Sequence, residues 1–191
     1  MRVLVIGDFH IPTRAKSIPQ QFTPIISKGD FDVILSTGDF VERKVLSYLE
    51  SIATTVWVVG NMDFFAYHPR ERMVNLEGFK IGLTHGAQIY PRGDPLKLYS
   101  LAVKLGVDIL ISGHTHVAST KLVKDILLLN PGSATGCWSG SGGSLIPSFM
   151  ILNVEGDRLS VSTYELVKSK IRITTETFTK SSDGKAILRA T

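Results

Sequence analysis

The chain has 191 residues, 43% hydrophobic and 20% charged, which is enough for one well-filled core, short for two domains, and outside the composition of a disordered chain. Apolar runs stop at about five residues against the roughly 20 needed to cross a bilayer, so no membrane span is expected. The net charge of +4 sits mostly in residues 165–191, where six basic side chains face three acidic ones without interleaved aromatics, a pattern that favours solubility over a nucleic-acid partner.

Arg2–Ile6 is a continuous apolar run, as in a strand buried on both faces, and it stops at Gly7-Asp8-Phe9-His10. Met1-Arg2 leads into it with no apolar signal segment, and the lone Cys137 has no disulfide partner; both point to a cytoplasmic protein. Ser17-Ile18-Pro19 reads as a helix start, with Gly29-Asp30 as its stop. Val33–Ser36 is a second strand, ending in Thr37-Gly38-Asp39. Glu42–Ala53 carries a helical stripe of Val45, Leu46, Leu49 and Ile52. Thr55–Val59 is a third strand and runs into Gly60-Asn61-Met62-Asp63.

Met73–Leu76 and Phe79–Thr84 read as a strand pair, the second ending at His85-Gly86. Asp94-Pro95 opens a helix that Gly106 stops. Asp108–Ser112 is a short buried strand followed by Gly113-His114-Thr115-His116. Strands follow at 120–124, 126–129, 148–154, 158–164 and 171–178. The Gly/Ser stretch 139–144 reads as a mobile loop. One domain is expected over residues 1–178, with residues 179–191 as a flexible C-terminal tail.

Five strands therefore end in turns rich in metal-binding residue types, and those ends hold four of the five histidines. In open α/β sheets, ligands gather at the carboxyl ends of strands. Asp8 and His10 are two apart, so both can face one ion. Asp39 offers two carboxylate oxygens, Asn61 an amide oxygen, and His85, His114 and His116 imidazole nitrogens. Mixed N/O donors without thiolate suit divalent transition metals, with manganese first and nickel, iron, cobalt or zinc as alternatives. Two such ions can clamp a phosphate and acidify a water between them.

Taken together, Asp-x-His, Gly-Asp, Gly-Asn-x-Asp, His and Gly-His-x-His resemble the class III (calcineurin-like) metallophosphoesterase superfamily. The resemblance implies a four-layer αββα sandwich of two mixed β-sheets flanked by helices. It implies one ion held by Asp8, His10, Asp39 and His116, and a second held by Asp39, Asn61, His85 and His114. Asp39, Asn61 and Asp63 are then the catalytic residues, in a metal-dependent phosphodiesterase whose nucleophile is a hydroxide between the ions. The segments Gly-Asp-Phe-His-Ile-Pro, Phe-Lys-Ile-Gly-Leu-Thr-His-Gly and Asn-Pro-Gly-Ser-Ala-Thr-Gly further resemble the branch containing small phosphodiesterases and the phosphoesterase-like subunit of retromer. That branch implies the rival reading of a scaffold or adaptor, with a protein partner near Ile151 and Tyr164. A homo-oligomer is left open.

Met62 departs from the superfamily pattern, which has histidine there, and a thioether has no proton to give a leaving group. His68, outside every motif, is a candidate to swing over the site as a substitute acid. Backbone N–H groups of Asn130-Pro131-Gly132-Ser133 are candidates to border the substrate. Cys137 reads as packing. No nucleophile has an adjacent base between Gly60 and Pro69, so a covalent mechanism is not expected.

Overall fold

The computed structural model describes residues 1–191 except Ala66, Ser182, Asp183, Lys185, Ala190 and Thr191. Among the described residues, twelve strands and three helices follow the order β1 (Arg2–Ile6), α1 (Thr23–Ser27), β2 (Val33–Ser36), α2 (Arg43–Glu50), β3 (Thr55–Trp57), β4 (Glu71–Leu76), β5 (Phe79–Thr84), α3 (Pro95–Leu105), β6 (Ile109–Ser112), β7 (Ala118–Val123), β8 (Ile126–Pro131), β9 (Ser148–Glu155), β10 (Arg158–Val167), β11 (Lys170–Lys180) and β12 (Ile187–Arg189). They form a seven-stranded sheet, β12-β11-β10-β9-β1-β2-β3, and a five-stranded sheet, β4-β5-β6-β8-β7. β1, β2 and β3 are mutually parallel in the first, and β5, β6 and β8 in the second.

Period-two alternation builds the layers. Val3 and Val5 of β1 point between the sheets and join Ile81, Ile109, Ile111, Leu127 and Leu152 in the central core. Leu4 and Ile6 point the other way, to a second core with Phe22, Ile26, Leu46 and Leu49 from the α1 and α2 side. A third cluster, with Leu98 and Ala102, seats α3 on the outer face of β6 and β8. The order is helix, sheet, sheet, helix, and the expected αββα sandwich is what forms.

Helix ends follow side-chain chemistry where the caps are strong. Asp94 accepts from the N–H groups of Leu96 and Lys97, each at 2.9 Å, and Gly106 closes α3 in the left-handed region at φ 66°. The helix expected from Ser17 is much shorter than its signal. A turn closes at Phe22 N–H to Pro19 O (2.9 Å), and the helix begins only at Thr23. Pro24 explains this, because its ring is tolerated only in the first turn.

The C-terminal stretch differs most from expectation. Thr179 and Lys180 continue β11, and Ile187–Arg189 pair with it as β12. Ser182, Asp183, Lys185, Ala190 and Thr191 lie outside the described residues. Ile187 is buried in the central core, and its N–H reaches Asp125 O, in the turn between β7 and β8 of the other sheet, at 3.0 Å. Lys180 Nζ ties the same end across the sandwich, to Asp108 Oδ2 at 2.7 Å and Gly78 O at 2.6 Å. If β12 is part of the core, Ile187→Ala destabilises the protein by about 2–5 kcal/mol in urea unfolding; a freely moving tail would leave the midpoint unchanged.

Candidate metal centre

The parallel strands of both sheets run toward one edge, where the turns after β1, β2, β3, β5 and β6 meet. The first sheet brings Asp8, His10, Asp39 and Asn61 to that edge; the second brings His85, His114 and His116. Alternation continues past β1. Phe9 turns into the helix-side core and stacks on Phe40 (5.5 Å, 17°), while Asp8 and His10 lie beside their partners at the edge.

The turns are backbone-strained. Asp8, His10, Asp39, His114 and His116 all have positive φ, between 49° and 69°. A non-glycine residue in this region costs on the order of 1–3 kcal/mol, and such strain gathers at functional sites. Close approach demands glycine at Gly113, where an added Cβ would stand 2.6 Å from Asp8 Oδ2.

Donor atoms fall into two groups that share one carboxylate oxygen. In the first, His116 Nε2 lies 3.2 Å from Asp8 Oδ1 and 3.1 Å from His10 Nε2, and His10 Nε2 lies 3.2 Å from Asp39 Oδ2. In the second, His85 Nε2 lies 3.5 Å from the same Asp39 Oδ2, 3.0 Å from Asn61 Oδ1 and 3.2 Å from His114 Nδ1. Two tautomers are set from behind. His85 Nδ1–H donates to Thr37 O and His116 Nδ1–H to Cys137 O, both at 2.8 Å, which leaves the Nε2 lone pairs facing the groups.

The electrostatics are those of donors crowded together. Burial alone would raise Asp39, but the His10 hydrogen bond, the His85 charge and the Met62 N–H outweigh it and hold the carboxyl at about 2. Burial, His85 and Arg92 push His114 down to about 4. Burial opposes the charged form of His116 as well, yet its bonds to Asp8 and Cys137 carry it up to about 10. A proton on His116 takes the place of a cation among these acceptors, and a metal ion bound there would have to displace it.

Several expected roles change. Asp63 accepts from four backbone N–H groups: Asp39 (2.8 Å), Phe40 (2.7 Å), Val41 (3.0 Å) and Gly60 (2.9 Å). Its carboxylate is fully used in clamping the β2 and β3 turns together, so it is a positioning residue and not a catalytic one. His68 stacks on Trp57 (3.6 Å, 8°), and its ring nitrogen Nε2 bonds Trp57 O at 3.0 Å, so it does not hang over the site. The Gly132 N–H is occupied by Asn130 Oδ1 (2.9 Å). The stretch braces instead: Asn130 Nδ2 donates to Gly113 O (3.0 Å) and Ser133 Oγ to Asp8 O (2.7 Å). Cys137 belongs to the site rather than to packing alone, because its carbonyl orients His116 and its Sγ lies 3.6 Å from His116 Nδ1. Ile151 is buried and offers no surface to a partner; Tyr164 is half-buried and stacks on Phe149 (4.8 Å, 9°).

A two-sheet sandwich with nitrogen and oxygen donors gathered at its parallel strand ends has the build of a metallophosphoesterase. Residues 1–157 match the model of the calcineurin-like phosphoesterase superfamily domain, and the chain belongs to that superfamily. A probable metallophosphoesterase of Methanothermobacter thermautotrophicus is 40% identical over 161 residues, covering 83% of this chain and 89% of that one. Among solved structures, vacuolar protein sorting 29 from Cryptosporidium parvum is similar at 32% identity and a TM-score of 0.90, over 94% of this chain and 98% of that one. Wild-type Vps29 from Entamoeba histolytica, complexed with zinc, is similar at 39% identity and a TM-score of 0.86, over 92% and 98% of the two chains. Among the described residues, no helix is long and apolar enough to cross a membrane.

The clamp at Asp63 is directly testable. Asp63→Ala leaves four N–H groups, two buried and two part-buried, without their acceptor and destabilises the fold by at least about 3 kcal/mol, measured by urea unfolding of the metal-free protein. A loss below about 1 kcal/mol would mean that the turns hold without it.

Proposed function

We propose that this protein is a metal-dependent phosphodiesterase with two divalent ions, manganese first among the candidates. The observation that carries this reading is the sharing of Asp39 Oδ2 between two groups of donors, one around His10 and His116 and one around His85. Asp8, His10, Asp39 and His116 would hold one ion, and Asp39, Asn61, His85 and His114 the other. The donor set fits: the atoms are N and O, two imidazole tautomers are fixed from behind, and Asp39 is ionised at any working pH. When bound, the ions supply an activated water and neutralise charge on the phosphoryl oxygens.

The chain's own residues do the positioning. Asp39 joins the two halves, and its second oxygen is steadied by the Met62 N–H at 2.8 Å. With their Nε2 lone pairs given to the ions, His85 and His116 would not act as general bases. Position 62 contributes no proton, and His68 is engaged with Trp57, so the leaving oxygen departs unassisted by either. The rate should therefore track how readily the leaving group departs as an anion.

With Mn²⁺ added, hydrolysis of bis(4-nitrophenyl) phosphate should exceed that of 4-nitrophenyl phosphate, and Asp39→Ala should lower it by at least about 100-fold. Wild-type turnover equal to that of Asp39→Ala on every ester would sink the enzyme reading. It would leave the adaptor reading, which the likeness to Vps29 along 92% of the chain favours. Met62→His should restore an acid at the site. It should raise the rate on an alkyl aryl diester's poorer leaving group relative to a nitrophenyl one by about 10-fold or more. An unchanged ratio in Brønsted plots of the two proteins would show that the leaving group already receives a proton from elsewhere.

A further inference from the structure

The half of the centre formed by Asn61 and His85 opens into a cavity of about 400 Å³, walled further by Val59, Gly60, Phe64, Arg70 and Gln88. That is more room than a phosphate alone needs and falls within the range of small-molecule pockets. Its polar groups are unequal. The Asp63 carboxylate at its base is consumed by four N–H groups. The Gln88 amide is pinned to Thr84 Oγ1 (2.9 Å) and Glu71 Oε1 (3.3 Å). Arg70 is different: among the described residues its guanidinium has no ion pair or hydrogen bond, although the chain beside it is held by Val59 N–H to Pro69 O at 3.1 Å.

The rim carries a second unspent group. Phe65 packs on Trp57 (6.2 Å) and Phe40 (6.4 Å), whereas its neighbour Phe64 lines the cavity and is 84% exposed. Leaving a phenyl ring in water at the mouth of a polar pocket has no folding benefit. A flat partner would bury it, and aromatic stacking is tolerant of the partner's identity. A planar guanidinium, in turn, matches two phosphoryl oxygens at once.

We propose that Arg70 and Phe64 form the substrate-recognition subsite, Arg70 holding non-bridging phosphoryl oxygens and Phe64 stacking on an aromatic group, so that the preferred substrates are phosphate esters bearing a flat ring. This rests on the phosphoesterase reading and adds the substrate class to it. It also suits the lack of an acid at Met62, because aromatic alcohols depart as anions more easily than alkyl ones.

The test uses two non-hydrolysable probes, phenylphosphonate and methylphosphonate, titrated calorimetrically into the Mn²⁺-loaded protein. Wild type should bind the phenyl probe at least about 5-fold more tightly. Arg70→Ala should weaken both probes by about 10-fold or more, and Arg70→Lys should recover only part of that, since a point charge lacks the fork. Phe64→Ala should abolish the preference for the ring and leave methylphosphonate affinity unchanged. Both side chains are exposed, so the variants should keep the wild-type melting temperature. Equal affinities for the two probes, affinities indifferent to Arg70, or no binding by wild type would each overturn the proposal. Arg70-dependent binding without Mn²⁺-dependent hydrolysis would refute the enzyme and spare the subsite. Hydrolysis with Arg70-independent binding would do the reverse.

Discussion

Everything at the centre depends on how the chain leaves its strands. A strand that simply continued would carry the chain straight past the edge, away from the turns that meet there. Instead, Asp8, His10, Asp39, His114 and His116 each take the left-handed backbone region, which turns the main chain sharply and aims successive side chains inward. That conformation is unfavourable for every one of them, so something must hold it. The holding is done by backbone bonds between the turns, such as Phe9 N–H and His10 N–H to Asp39 O at 3.0 Å, and by Asp63, which gathers four N–H groups. The two cores beneath fix the strands from which the turns depart.

Substitution at position 62 is intelligible on the same grounds. Its main chain has a structural duty, donating to Asp39 Oδ1, which any residue but proline can perform. Only the side chain distinguishes histidine from methionine there, and it bears on the chemistry of departure rather than on the assembly of the site. The donor cluster can therefore stay intact while the range of esters shifts.

Much of this was readable in the amino-acid order because metal donors need particular atoms at particular strand ends. The donor atoms of Asp8, His10, Asp39, Asn61, His85, His114 and His116, which the proposed centre would use, are marked by residue type and by the strand-glycine pattern before them. Residue type marks Asp63 as a candidate catalytic carboxylate, but its engagement with four amides depends on the direction of their N–H bonds, which no residue type shows. The carbonyls of Thr37 and Cys137 that orient two histidines have no residue signature at all. β12 was missed because three residues after a polar stretch show no period, and their burial is supplied by the opposite sheet. The long helix expected before Gly29 is cut short at Pro24, whose ring excludes a preceding helical turn whatever Ser17 and Pro19 signal.

The division of donors between the sheets has a further consequence. Carboxylates, amide and one imidazole ride on the seven-stranded sheet; the other three imidazoles ride on the five-stranded one. The gap between the two sets is thus determined by the thickness of the central core, by side chains such as Ile109, Ile111, Leu127 and Met150. That core acts as a caliper. A methylene added or removed there, well away from any donor, opens or closes the jaws, and ions of different radius are what such jaws discriminate. In the proposed metal centre, ion preference would shift through the hydrophobic interior with every donor residue unchanged.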